Sequence, residues 1–222
     1  MPTSSQPHIS PSIWIGVAIV VLIAGSFGFN QLLERTLPKP KLPVFATIKG
    51  DLEATERSGR EVKFSELRGK VTVCAFIYTV CPHGCAAVMA EMQKLNQKHA
   101  SRSDIQLVSL ALLPERDTPD FLKVFAEGLQ VKSSDPWWFL SGDRQQVWDF
   151  MTTELKLDHA KEIPEDERLN PLDLYEHDLR IVLIDRVGQV RGYYSVFHPQ
   201  AEIASLMAEK LQRHVTQLLN EP

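Results

Sequence analysis

Cysteine is scarce in this chain. Three occur in 222 residues, which excludes a fold stapled by many disulfides. Net charge is also small, at -4. Nothing is basic enough to suggest a nucleic-acid partner, and the charge does not choose any other partner. No internal repeat or low-complexity tract occurs, so a solenoid or a biased linker protein is not indicated. With 44% hydrophobic and 23% charged residues, the composition suits one globular domain with an appendage.

Charge is absent altogether from Ser12 to Phe29, SIWIGVAIVVLIAGSFGF. That run approaches the roughly 20 apolar residues a helix needs to cross a bilayer, and Trp14 suits an interface position. A cleaved signal peptide is the rival, because Ala24-Gly25-Ser26 is rich in small residues. No Lys or Arg precedes the run, however, so the basic leader region is missing, and an uncleaved transmembrane anchor is the expectation. Arg35, Lys39 and Lys41 all follow it. By charge asymmetry alone they weakly favour a cytoplasmic C-terminal domain. Thr36 to Phe45 carries three prolines in ten residues and reads as a stiff, extended tether. The expected division is a tail and anchor over 1–35, the tether over 36–45, and a domain over 46–222.

What is present in that domain is concentrated in Cys81-Pro82-His83-Gly84-Cys85. The apolar run Val71 to Tyr78 precedes it, and a helix-like stretch from Ala86 to about Lys98 follows. Two thiols therefore stand where a buried strand ends and a helix begins. A helix N-terminus stabilises thiolates, and an i, i+4 spacing places both sulfurs on one helical face. Such a pair can bind a soft metal, form a disulfide, or do both in turn. The usual thioredoxin-type redox pair has two intervening residues. Three spread the sulfurs, which suits a metal between them. Cys74 lies within the apolar strand and reads as a buried, inert thiol.

The remaining pattern alternates. A small hairpin is expected over Gly50 to Leu67, turning at Ser58-Gly59. Strands are expected over Lys70–Tyr78, Ile105–Leu112 and Trp137–Leu140. Helices are expected after the cysteines, from Thr118-Pro119 to about Leu129, and over Gln145–Leu155. A hairpin around Val187-Gly188 and an amphipathic helix from Pro199 to Leu219 close the chain. This βαβαβαββα order implies an α/β fold with a central, mostly parallel sheet flanked by helices. Thiols at the end of the first core strand make it thioredoxin-like, and sites in such sheets lie beyond the carboxyl ends of strands.

Two thiolates leave a copper ion under-coordinated, and imidazole is the natural third donor. Seven histidines compete. His8 precedes the apolar run. His83, between the cysteines, points off their face. His99 and His214 fall near the ends of polar helices, where solvated histidines are common. His198 lies beyond the hairpin, at the surface. His159 sits in the long acidic loop Leu157–Glu176 and stays a candidate; long loops beside a site are often functional. His177 is the favoured candidate because it stands just before the Arg180–Asp185 strand, where a thioredoxin-like sheet faces its active-site thiols. Met89 could offer a thioether but reads as a core residue.

Several motifs together resemble the SCO/SenC family of membrane-anchored, thioredoxin-like copper proteins. They are Arg68-Gly69-Lys70, Phe76-Ile77-Tyr78-Thr79, Cys81-Pro82 with Cys85, Pro114-Glu115-Arg116-Asp117-Thr118-Pro119, Trp138-Phe139-Leu140-Ser141-Gly142, and His177 ahead of Ile181–Asp185. The resemblance spans roughly Gly50 to Val196. It implies copper, Cu(I) or Cu(II), held by Cys81, Cys85 and His177. It also implies delivery to the dinuclear copper site of cytochrome c oxidase subunit II, or reduction of that site's cysteines by a redox-active Cys81/Cys85 pair. The domain would then face the periplasm or the mitochondrial intermembrane space, against the weak charge asymmetry. The chain departs from the family pattern at three places. Ala86 follows the second cysteine where proline is usual, Leu113 stands where aspartate is usual, and Asp178 follows the histidine where a small hydroxyl residue is usual.

Overall fold

The computed structural model describes residues 11–36 and 40–221. The tail before residue 11, which holds His8, and residues 37–39 of the tether lie outside the described residues. The chain divides into two compact units, Met1–Lys41 and Leu42–Pro222.

In the first unit, α1 spans Pro11–Thr36. Proline tolerates the first turn of a helix because its missing N–H would be unpaired there. Trp14, Ile19, Leu22 and Phe27 are exposed. Among the described residues no helix is long and apolar enough to cross a membrane; the unbroken stretch of α1 with described side chains is 18–29.

The second unit is built on two strands that are apolar on both faces. β4 (Val71–Ile77) and β5 (Ile105–Ala111) are buried along their whole lengths and pair in parallel. The eight-stranded sheet has the order β1-β10-β9-β4-β5-β6-β2-β3. Its other members are β1 (Ala46–Thr47), β2 (Glu53–Glu56), β3 (Glu61–Lys63), β6 (Trp137–Ser141), β9 (Ile181–Ile184) and β10 (Gln189–Tyr194). The expected mostly parallel sheet is corrected to a mixed one. Only β4–β5 and β5–β6 run parallel, and every other pairing in this sheet is antiparallel. The reason is connection length. A parallel neighbour needs a helical crossover, which α2 (Cys85–His99) and α3 (Pro119–Gly128) supply. The β2–β3 and β9–β10 hairpins turn tightly through Gly59 and Gly188, at φ +87° and +80°, and can only pair antiparallel.

Successive side chains of β4 point to opposite faces, so the core forms two layers. Val71, Val73, Ala75 and Ile77 pack with Val88, Met92 and Leu95 of α2 and with Leu211 and Val215 of α5 (Ala201–Asn220). Cys74, Phe76 and Tyr78 face the other layer, with Val147, Phe150 and Met151. The last three belong to α4 (Arg144–Asp149) and to the π-helical turn Phe150–Glu154 that continues it. The helix expected over Gln145–Leu155 thus changes its winding halfway. Thr118 caps α3, its hydroxyl accepting from the Phe121 amide at 3.4 Å, with Pro119 at the first helical position.

One expectation about a histidine is also corrected. His99 is buried rather than solvated, and its Nε2 lacks a hydrogen-bond partner. Burial lowers its pKa, so the ring is held neutral.

The aromatic end of β6 gives a stability test. Trp137 is fully buried, stacks on Phe139 at 4.8 Å between ring centroids, and donates from Nε1 to Ser109 Oγ at 3.0 Å. Trp137→Ala should cost about 3–5 kcal/mol in chemical denaturation. A loss below about 1 kcal/mol would mean that this stack does not hold the sheet to its helices.

Candidate metal centre

After Ile77 the chain leaves β4 and turns back on itself, with the Cys81 amide donating to the Tyr78 carbonyl at 3.0 Å. The helix that follows starts at Cys85, with Gly84 as its N-cap. Cys81, Pro82 and His83 therefore lie outside the helix. This corrects the reading of both sulfurs as neighbours on one helical face; the turn, not helical periodicity, brings them together. Gly84 is required here for space. A Cβ would fall 2.6 Å from Leu179 Cδ1 and 2.5 Å from Phe197 Cδ1.

The sulfurs differ in character. Cys81 is partly exposed and Cys85 is buried. The Cys85 sulfhydryl donates to the Cys81 sulfur and is the main reason that the Cys81 pKa is pulled down to about 3. Burial opposes this, while the backbone amides of Cys85 and His83 add to it. The same hydrogen bond, with burial, drives the Cys85 thiol far above its usual range. The pair thus favours the thiolate at Cys81 and the thiol at Cys85. Cys74 is fully buried, and burial also raises its pKa, as an inert core thiol requires.

His177 completes the group. It stands between β8 (Tyr175–Glu176) and β9, with Nε2 3.1 Å from Cys85 Sγ. Its Nδ1 lies 3.0 Å from the Asp178 carbonyl. A carbonyl only accepts, so Nδ1 carries the proton and the Nε2 lone pair faces the sulfurs. Phe76 and Tyr78 present their rings at 6.0 and 6.2 Å in edge geometry. The ligand atoms of Cys81, Cys85 and His177 all lie within 4.8 Å of one another, the one such group among the described residues. A thiolate and an imidazole lone pair thus converge with a single thiol proton between them. A soft cation in place of that proton would take both sulfurs and the imidazole nitrogen as ligands, and sulfur with imidazole suits copper or zinc before any hard cation. Loss of two electrons from the pair would instead close a disulfide.

The other candidates lie elsewhere. His83 Nε2 is 3.0 Å from Asp173 Oδ1, and that carboxylate is buried. His159 is exposed in the acidic loop and outside the group. His198 accepts from the Gln200 amide at 3.0 Å, and His214 Nδ1 lies 2.7 Å from the Tyr194 hydroxyl. Met89 is a core residue, its sulfur 3.8 Å from Ser109 Oγ.

Sequence reasoning missed the residues that hold this arrangement. The acidic loop folds over the centre. It carries the short strand β7 (Lys161–Glu162) paired with β8. Tyr78 donates its hydroxyl to the Leu172 carbonyl, and Asp173 holds His83 from the same loop. Asp117, fully buried, accepts from the Thr79 amide and hydroxyl at 3.2 and 2.5 Å. It therefore ties the Pro114–Pro119 motif to the end of β4. Between the loop and the cysteine turn lies a cleft of about 400 Å³, lined by Cys81, His83, Asp173, His177, Leu179 and Phe197 among others.

Comparison with known proteins places these features in context. A family model described as SCO1/SenC matches residues 41–212. A SCO1 protein homolog from Bacillus subtilis is 31% identical over 121 residues, covering 54% of this chain and 62% of that protein. The chain thus matches under two thirds of that relative's length. The solved structure of BsSco, a member of the Sco family of cytochrome c oxidase assembly proteins in which a disulfide switch was identified, superposes with a TM-score of 0.60. Its identity is 24%, over 81% of this chain and 99% of that one. Copper-bound ScoI from Bradyrhizobium japonicum gives a TM-score of 0.53 at 24% identity, over 73% of this chain and 98% of that one. The fold is the thioredoxin-like one of these structures.

The asymmetry of the thiols gives a direct test. In reduced protein, iodoacetamide should modify Cys81 alone, at a rate nearly constant from about pH 8 to about pH 5, because a depressed pKa keeps the thiolate populated. Cys85 and Cys74 should react only after unfolding. A Cys81 rate that falls about tenfold per pH unit below pH 8 would mark an ordinary thiol.

Proposed function

The chain belongs to the SCO1/SenC family, and from that premise we propose that it is a membrane-anchored copper chaperone for the dinuclear copper site of cytochrome c oxidase subunit II. The observation that carries this reading is the convergence of Cys81, Cys85 and His177 within 4.8 Å. Copper-bound structures of proteins with this fold support copper as the ion. In this reading Cys81 and Cys85 supply soft sulfur and His177 Nε2 the third donor. Copper is cargo, so the site must also give it up. The half-exposed Cys81 and the open cleft beside it leave a path for an acceptor's own ligands.

A second reading has its own support. A thiolate at Cys81 beside a protonated Cys85 is the arrangement of an attacking and a resolving thiol. Cys81 would attack a disulfide between an acceptor's copper-site cysteines and release one of them as a thiolate. Cys85 would then displace the second, leaving a Cys81–Cys85 disulfide and two reduced cysteines. The description of BsSco as carrying a disulfide switch supports this second role.

Anchoring belongs to the proposal as well. The charge-free run Ser12–Phe29 would hold the domain at the membrane, facing the periplasm or the mitochondrial intermembrane space, where the acceptor copper site lies.

Two measurements test these statements. Reduced protein titrated anaerobically with Cu(I) should bind one ion. Binding should weaken as pH falls, because protons compete for the sulfur and nitrogen donors and the Cys85 proton must leave. His177→Ala should reduce affinity by more than the roughly 10–100-fold typical of losing a supporting residue, yet still form the Cys81–Cys85 disulfide. No copper at stoichiometric Cu(I), with thiols verified free, would remove the chaperone reading. For topology, a membrane-impermeant thiol reagent added to intact spheroplasts after reduction should label Cys81. Labelling seen only after lysis would place the domain in the cytoplasm, as the charges after the apolar run suggest.

A further inference from the structure

The centre depends on one ring, and the ring depends on its neighbour in the chain. Asp178 is buried, and every contact of its carboxylate draws it away from solvent. It accepts from the Arg180 amide at 2.9 Å, from Arg180 Nε at 3.0 and 2.9 Å on its two oxygens, and from the Arg180 guanidinium terminus. The Asp158 amide, where the acidic loop begins, donates to it at 2.9 Å. Arg180 is itself held. Its guanidinium lies over the Tyr193 ring at 5.1 Å, and the Tyr193 hydroxyl donates to the Leu155 carbonyl at 2.9 Å. The backbone of residue 178 is thus gripped from both the sheet and the loop. That backbone provides the carbonyl facing His177 Nδ1 at 3.0 Å.

We propose that Asp178 and Arg180 are positioning residues for His177: their ion pair fixes the residue 178 carbonyl as the acceptor for Nδ1–H, and so presents the Nε2 lone pair to Cys85 and Cys81. Neither residue touches the metal position. An imidazole free to choose its tautomer would spend part of its time with a proton on Nε2, and that form cannot ligate. The partner of a ligand's second nitrogen sets both tautomer and ring orientation. Here the partner is a main-chain carbonyl whose place is set by the buried carboxylate of its own residue. The same pair ties the loop to the sheet, so a purely structural role is the alternative. The inference rests on the copper reading only for its consequence, not for its geometry.

The test separates these. Long-range 1H–15N NMR of the copper-free, reduced full chain reads the His177 tautomer directly. Wild type should show a single Nδ1–H form. Asp178→Ala and Arg180→Ala should show tautomer exchange, with Cu(I) affinity lowered by roughly 10–100-fold. Asp178→Asn, which keeps one acceptor oxygen and so one of the two amide contacts, should recover part of both. If Asp178→Ala does not fold, Arg180→Ala and Asp178→Asn carry the comparison. A wild-type Nε2–H form, or variants that fold and keep the single Nδ1–H form, would overturn the proposal. Wild type that shows the Nδ1–H form but binds no copper would instead remove the chaperone reading and leave the positioning role standing.

Discussion

Burial of β4 on both faces is the constraint from which the rest of the domain follows. A strand with no polar face must be covered above and below and paired at both edges. α2 and α5 cover one face, and the π-turn region covers the other. β5 and β9 take the edges. The cysteine turn emerges at the end of this most rigid element. Its partner histidine precedes β9, which pairs directly with β4. Ligands more than ninety residues apart in the chain are thus brought together by a single sheet pairing, and side chains on rigid elements hold their geometry more closely than side chains on free loops.

Three attachments then close the acidic loop over the centre, each from a different element. Tyr78 reaches Leu172 from the end of β4, His83 meets Asp173 from the cysteine turn, and Asp178 grips Asp158 from the start of β9. The paired carboxylates have a reason to be buried. Asp173 and Asp178 are each satisfied by donors, which is the condition for keeping a charge inside. Burial alone would raise the Asp178 pKa, but Arg180 and the two amides outweigh it and hold the group below its usual range. The carboxylate is therefore charged at neutral pH, and the clamp on the His177 neighbour is in place there.

Two of the departures from the family pattern, Leu113 and Asp178, fall around this loop, and none is at a ligand. Leu113 is buried beside Tyr78, Leu172 and Leu174, so an apolar contact stands on the far side of the loop where a carboxylate is usual. Asp178 brings its own cation, Arg180. Ala86 occupies the first turn of α2 without disturbing it, since helix entry is set by Gly84 and by the close approach of Phe197. The group of three donors stays the same while the wall around it changes. Differences in partner choice are expected at such a wall, because it is what an incoming protein meets.

Much of this was legible in order along the chain. Apolar runs with no polar face marked β4 and β5, the thiol pair marked the end of β4, and the place of His177 ahead of an apolar strand marked it among seven histidines. Those features are local, and local periodicity and turn chemistry report them. The mixed sheet was not legible, because alternation of elements records crossovers but not which edge a terminal hairpin joins. Nor was the turn that joins the sulfurs, because an i, i+4 spacing reads as one helical face while Cys81 lies outside α2. His99 read as solvated because its burial comes from elements outside its own helix. By itself the sequence determined the two thiol donors, their chemistry and the strand that carries them, and it favoured His177 among the histidines. Only the tertiary structure decided which imidazole meets the sulfurs, which proton it carries, and which buried carboxylates hold it there, because each is a contact between segments that periodicity cannot connect.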